Sequence, residues 1–177
     1  MESDQELIEW INKGDPDAFE TLYYRYRDWI YNLAWRMTGS QQDSLDVLQE
    51  TFSYLLNKLP GLKLTASMTT FLYPVVRHLA FNICQKNRRF TSGEDNLDEI
   101  PVSISEDSTN NRSELASALT ILPEEQREVL LMRFVDDMDL KEIAAALNIP
   151  VGTIKSRLYR ALDTLRKDSR TQSYFLE

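Results

Sequence analysis

Near the carboxyl end, Val151–Arg170 carries Lys155, Arg157, Arg160, Arg166, Lys167 and Arg170 against only Asp163 and Asp168, a local charge of +4. Thr153, Ser156 and Tyr159 are interleaved with these cations. Ammonium and guanidinium groups donate to phosphate oxygens or to the O6 and N7 of guanine, and hydroxyls serve either partner. On a helix with Ile154, Leu158, Ala161 and Leu165 inward, Lys155, Ser156, Arg157, Tyr159 and Arg160 all lie off the apolar stripe. This is chemistry for holding a nucleic acid. The same residues on a helical hairpin would equally make a solvated basic face, and residue types alone leave both readings open. A second basic run, Val76–Phe90, holds Arg77, Lys86, Arg88 and Arg89 with no acid, again +4.

Catalytic chemistry finds few residues to use. His78 and Cys84 are single representatives of their types, which excludes an internal disulfide framework and any cluster of His and Cys metal ligands. No nucleophile elbow, phosphate-cradling glycine loop or zinc motif is present. A protein without enzymatic activity, cofactor or metal is expected. No stretch reaches the ~18 apolar residues of a membrane span, and Met1–Trp10 lacks a basic, apolar leader, so a cytoplasmic protein with no direct membrane insertion is expected.

The net charge of -8 over 177 residues argues against a nucleic-acid partner only until it is divided. Met1–Phe90 is near neutral, with ten Lys and Arg against eleven acids. Thr91–Ser113 holds six acids (Glu94, Asp95, Asp98, Glu99, Glu106 and Asp107) against Arg112 alone, a net of -5. The acidity lies between the two basic runs.

The elements that must position these residues are helices. Ser3 to Glu6 is a capping-box pattern before Leu7, Ile8 and Ile11, with Gly14 as the stop. Asp15-Pro16 reads as N-cap and first helical residue. Behind it Phe19, Leu22, Tyr23, Tyr26, Ile30, Leu33, Ala34 and Met37 form an apolar stripe ending at Gly39. A third helix is predicted from about Asp43, with Leu45, Leu48, Phe52, Leu55, Leu56 and Leu59 inward, up to Pro60-Gly61. After a polar loop, Lys63–Thr69, a fourth is marked by Phe71, Leu72, Val75, Leu79 and Ile83, with Pro74 in its first turn or kinking it. Thr91–Asn111 has no helical period and is read as a flexible linker.

Beyond the linker, Leu115, Leu119 and Leu122 suggest a short helix. Pro123 opens another with Val129, Leu130 and Phe134 inward. Asp139 to Glu142 is a second capping box, opening Leu140–Leu147. Pro150 is read as the first residue of a last helix with Val151, Ile154, Leu158, Ala161, Leu162 and Leu165 inward. Two helices across a tight turn are the arithmetic of a helix-turn-helix, and Ala144-Ala145-Ala146 permits close crossing. The expectation is an all-α chain of two small helical domains, residues 1–90 and 114–177, joined by a flexible acidic linker, 91–113, with the helix-turn-helix in the C-terminal domain.

Three segments of the C-terminal half carry a specific resemblance: Leu122-Pro-Glu-Glu-Gln-Arg-Glu-Val-Leu130, Glu142-Ile-Ala-Ala-Ala-Leu147, and Ile149-Pro-Val-Gly-Thr-Ile-Lys-Ser-Arg-Leu-Tyr-Arg-Ala-Leu162. Together they resemble the C-terminal domain of bacterial sigma factors, in the small two-domain group called extracytoplasmic-function (ECF) sigma factors. Asp17-Ala-Phe-Glu-Thr-Leu-Tyr23, Asp43 to Phe52 with Gln49-Glu-Thr-Phe52, and Phe71-Leu-Tyr73 on to Lys86–Arg89 resemble the N-terminal domain of that group, in the same order.

The resemblance implies a promoter-recognition subunit of core RNA polymerase. It implies that Lys155, Ser156, Tyr159 and Arg160 read the minus-thirty-five element, that Arg133 helps to hold the DNA, and that Thr153 and Arg157 contact phosphate or pack the helix. In the N-terminal domain it implies that Asp43, Asp46, Gln49 and Glu50 meet the clamp helices of the largest polymerase subunit, with the flap of the second largest as a further partner. Leu45 stands where the group usually has an acid, and phosphate on Ser44 or Thr51, added by a kinase, is one way to supply the missing charge. The minus-ten element falls to the loop Lys63–Thr69 and the following helix, with Lys63, Phe71, Arg77, His78, Lys86, Arg88 and Arg89 as DNA contacts. Phe71, His78 and Asn82 replace the group's usual tryptophan, asparagine and aspartate. His78 at the edge of the core is an equal reading. The acidic linker is either a solvated tether or an imitation of RNA phosphates within the polymerase. An anti-sigma factor is a further possible partner. The rival readings are a stand-alone helix-turn-helix regulator, which has no use for a clamp-like surface, and an anti-sigma-type adaptor, which has none for recognition-helix cations.

Overall fold

The computed structural model describes residues 2–91 and 117–171, without the side chains of 89–91. Every regular element among them is helical. The chain divides into two compact units, Met1–Ile104 and Ser105–Glu177. Apart from Thr91, the sequence-read linker and Leu115 lie outside the described residues.

Four helices build the first unit: α1 Asp4–Asn12, α2 Pro16–Thr38, α3 Gln41–Asn57 and α4 Met68–Thr91. The Ser3–Glu6 capping box closes on α1, and the Asp15 carboxylate accepts from the N–H groups of Asp17 and Ala18 at the start of α2. Each such cap satisfies donors that a helix start leaves orphaned. Gly39 ends α2 at a φ of 66°, a left-handed conformation that suits glycine. Leu22, Ile30 and Leu33 of α2, Val47 and Leu55 of α3, and Met68, Leu72 and Val76 of α4 are buried where these three helices pack on one another. Each such side chain contributes roughly 1.5–3 kcal/mol. α1 is held on α2 by Leu7 and Ile8 and by Asp4, whose carboxylate meets Arg25 at 2.6 Å and the Tyr26 hydroxyl. Asn12 ties the end of α1 to the turn before α4, accepting from the Gly61 N–H at 2.7 Å and donating to the Leu62 carbonyl at 2.9 Å.

Several sequence expectations are corrected here. α3 starts at Gln41, because the Ser40 hydroxyl caps it by accepting from the Asp43 N–H. Its inward stripe is Ser44, Val47, Thr51, Phe52 and Leu55, whereas Leu45 and Leu56 are 44% and 50% exposed. Ser44 and Thr51 can face inward because their hydroxyls return to backbone carbonyls four residues earlier, Ser40 at 2.6 Å and Val47 at 2.7 Å. α4 begins at Met68, inside the predicted loop, with the Ser67 hydroxyl accepting from the Thr70 N–H. Pro74 therefore falls beyond the first turn, on the exposed side, and the helix continues through it.

In the second unit a helical turn at 117–119 precedes α5 Glu124–Phe134, α6 Leu140–Leu147 and α7 Val151–Lys167. Its core joins Leu119, Leu122, Val129, Met132, Met138, Ile143, Ile154, Ala161 and Leu165. Arg127 donates to the carbonyls of Leu119, Thr120 and Leu122, closing the end of the first turn. Phe134, expected inward, is 60% exposed, and Met132 takes the core position on α5. Pro123 and Pro150 are N-caps rather than first helical residues, with extended ψ values of 144° and 143°. The Asp139–Glu142 box opens α6, and Asn148 ends it at a φ of 54°. Its N–H and that of Ile149 return to the carbonyls of Ala145 and Ala144. A left-handed Asn at this point reverses the chain within three residues, which places α7 across α6.

Candidate nucleic-acid interface

α7 packs on α5 and α6 through Ile154, Ala161 and Leu165. That choice of buried stripe turns Lys155, Ser156, Tyr159 and Arg160 outward, and all four are exposed. They span about 7.5 Å of helix axis, which fits within the ~12 Å width of a major groove. Tyr159 leaves 71% of its surface to solvent. Among the described residues neither Lys155 nor Arg160 has an ion-pair partner. A helix face with uncommitted donors and an exposed ring can engage base edges without first breaking anything.

The neighbouring cations are committed. Arg157 is directed back at α5, its Nη2 2.6 Å from Glu125 Oε2, so it serves helix packing. Lys167 pairs with Asp163 at 2.7 Å and Arg170 with Asp168 at 2.8 Å. The Arg170 guanidinium also donates to the Ser117 carbonyl at 3.2 Å, tying the end of the unit to its beginning. Arg133, at the end of α5, sends Nη1 to the Met138 carbonyl at 3.3 Å and lies 3.6 Å from Asp137. Its guanidinium is also 5.9 Å from the exposed Phe134 ring. It closes the α5–α6 turn while staying part-exposed, a position from which its remaining donors can meet a phosphate. Thr153 is half-buried in the first turn of α7.

In the first unit, the α4 residues expected to touch DNA are less uniformly placed. His78, Lys86 and Arg88 are exposed, and Arg77 is half-buried. Asn82 sits 3.0 Å from the His78 Nε2 one turn along, so His78 is a surface residue rather than a core-edge one. Lys63 is exposed in the loop before α4. Phe71 is half-buried against Tyr54 of α3, ring centroids 6.3 Å apart, and Lys58 stands 5.2 Å from the Tyr54 ring. The Arg89 side chain lies outside the described residues.

Asp46, Gln49 and Glu50 project from α3 beside the exposed Leu45 and Leu56. Asp43 does not stand with them. It is half-buried and accepts a hydrogen bond from Asn87 Nδ2 of α4 at 3.0 Å. Asn87, Tyr54 and Lys58 are absent from the sequence-read contacts. Tyr54 and Lys58 are detectable as an aromatic–cation pair four residues apart, but no local signal links Asn87 to a residue 44 positions earlier. Ser44 and Thr51 are fully buried, with hydroxyls engaged by backbone carbonyls. A kinase has no access to either in this packed state.

Among the described residues no cluster of three or more metal-ligating side chains exists, and no helix is long and apolar enough to cross a membrane. Burial pushes the Cys84 thiol above its ordinary pKa, with the Asp43 charge adding to the effect.

Comparison with known proteins agrees with this geometry. Residues 22–90 match the family Sigma-70 region 2, and residues 112–165 match Sigma-70, region 4. The chain is 32% identical to the ECF RNA polymerase sigma-E factor of Escherichia coli K12, over 96% of this chain and 95% of that one. It is 29% identical to the ECF RNA polymerase sigma factor SigW of Bacillus subtilis, over 92% and 95%. Its fold is similar to that of CnrH, solved in complex with the cytosolic domain of CnrY (TM-score 0.68, 20% identity, 92% of this chain and 94% of that one). It is also similar to the sigma factor RpoE of Bartonella quintana, solved with the anti-sigma factor NepR (TM-score 0.64, 18% identity, 84% and 94%). Two helical units, an open basic helix face and relatives matched almost end to end lead to one conclusion: the chain belongs to the ECF sigma factors, which direct RNA polymerase to promoters in transcription initiation.

Proposed function

We propose that α7 reads the upstream promoter element through Lys155, Ser156, Tyr159 and Arg160, with Arg133 and Thr153 at neighbouring phosphates. One observation carries this assignment: these four side chains are exposed on one face while the adjacent Arg157 is tied to Glu125. Under the same reading the N-terminal domain, residues 1–90, meets the polymerase clamp through Asp46, Gln49 and Glu50. Leu45 and Leu56 add apolar area to that surface. The downstream element is engaged by Lys63, Phe71, His78, Lys86 and Arg88. Segment 91–113, with its charge of -5, connects the two domains through the polymerase. Chemistry belongs to the polymerase and not to this chain.

The structurally similar RpoE was solved in complex with the anti-sigma factor NepR, and CnrH with the cytosolic domain of CnrY, which supports an anti-sigma partner here as well. Control by phosphate on Ser44 or Thr51 requires α3 to open first, and packing speaks against it in the folded domain.

Run-off transcription and gel-shift assays with purified core polymerase test the reading. Promoter-specific transcripts and a promoter shift are expected only when chain and core are both present. Tight operator binding by the chain alone, unaffected by core, would instead identify a stand-alone regulator.

A further inference from the structure

Asp43 occupies a junction. It lies in the first turn of α3, whose exposed residues face the polymerase in the reading above, yet its carboxylate turns to α4 and accepts from Asn87 at 3.0 Å. Asn87 is flanked by Lys86 and Arg88, the cations at the C-terminal end of α4. Cys84, one turn earlier, sends its thiol toward the Met37 carbonyl at 3.6 Å, packing the same end of α4 on the end of α2. Cys84 also senses the opposed charges of Asp43 and Arg88, so both groups converge on this junction.

We propose that Asp43 is a positioning residue: through Asn87 it holds the basic end of α4, with Lys86 and Arg88, in register with the polymerase-facing helix α3, so that polymerase engagement and downstream DNA contact are mechanically coupled. The physical basis is that a charge-assisted hydrogen bond fixes both distance and direction. Helix ends fray most readily, and Asn87 lies four residues from the end of α4 at Thr91. A tie at position 87 limits that fraying where the DNA-directed cations sit. This inference rests on the sigma-factor reading for its functional consequence and on the Asn87–Asp43 contact alone for its structural part.

The test uses the full chain with core polymerase and compares Asp43→Ala, Asp43→Asn, Asn87→Ala and the Asp43→Ala/Asn87→Ala double variant. Core affinity is measured by fluorescence anisotropy, and promoter opening by permanganate reactivity. A positioning role predicts that Asp43→Ala and Asn87→Ala each slow opening about 3–10-fold, that the double variant is no worse than either single one, and that core affinity stays within about twofold. Asp43→Asn retains an acceptor oxygen, so it recovers most of what Asp43→Ala loses. If instead Asp43→Ala and Asp43→Asn weaken core binding alike while Asn87→Ala opens promoters normally, Asp43 is a direct polymerase contact and the inference is overturned. Additive losses overturn it as well. A double-mutant cycle on urea unfolding of the free chain separates the two levels. Coupling found there without polymerase binding would preserve the contact and sink the sigma-factor reading; no coupling there refutes the tie itself.

Discussion

Arg157 Nη2 lies 2.6 Å from Glu125 Oε2, and this single pair divides the cations of α7 into those that hold the domain together and those that face outward. Arg157 keeps only 22% of its side chain exposed, Glu125 70%. A pair this open to water contributes roughly 0.2–1 kcal/mol. Glu125→Ala should therefore lower the unfolding free energy by about that amount in urea titrations, while changing promoter affinity less than about twofold.

The opposite pattern is expected on the outward face. Arg160→Ala and Lys155→Ala should each weaken binding of holoenzyme to promoter DNA by about 1–3 kcal/mol and leave thermal unfolding unchanged. Losses confined to certain bases mark direct readout. A uniform loss with a shallower salt dependence marks a phosphate contact. Gel shifts across a salt series with single-base promoter variants distinguish the two.

Thr51→Val and Thr51→Glu separate burial from charge. The Thr51 side chain is wholly enclosed, its hydroxyl bonded to the Val47 carbonyl at 2.7 Å. Valine keeps the shape and drops the back-bond, so stability should change by less than about 1.5 kcal/mol. Glutamate forces an unpaired charge into the α3 core and should destabilise by several kcal/mol. Calorimetry of both variants checks this; a Thr51→Glu protein that melts like the parent would show the site to be open.

Acid should unfold the caps before the cores. The Arg170 guanidinium first, then its backbone N–H, holds the Asp168 carboxyl at about 2 against an ordinary 3.8. Backbone N–H donation lowers Asp139, chiefly from Glu142, and Glu6, from Ser3. A folded pKa below the unfolded one stabilises fully above the unfolded value and is lost as pH falls through the folded one. The melting temperature should thus be flat near neutrality and decline from about pH 4 towards pH 2. Asp168→Asn should flatten the lower part of that decline, as followed by circular dichroism.

How much of this was readable in the chain depends on how local each cause is. Ser3, Asp15, Gly14, Gly39 and the Asp139–Glu142 box act within one helical turn, and the helix limits they imply agree with the structure to within a residue or two. Ser40 and Ser67 are caps of the same kind, yet polar neighbours masked them and the starts of α3 and α4 were placed too late. Inward faces fared less well. Leucines at 45 and 56 and Phe134 satisfied a hydrophobic pattern while pointing outward, and Ser44 and Thr51 broke the pattern while pointing inward.

The sequence by itself determined an all-helical chain, the helix-turn-helix and the placement of Lys155, Ser156, Arg157, Tyr159 and Arg160 off the apolar stripe of the last helix, because caps, turn residues and a 3.6-residue period operate over a few positions. Only the tertiary structure decided that Arg157 belongs to Glu125, that Asp43 belongs to Asn87, and that Ser44 and Thr51 are sealed. Those outcomes depend on which helix lies across which, and partners 32 and 44 residues apart leave no mark in any local window.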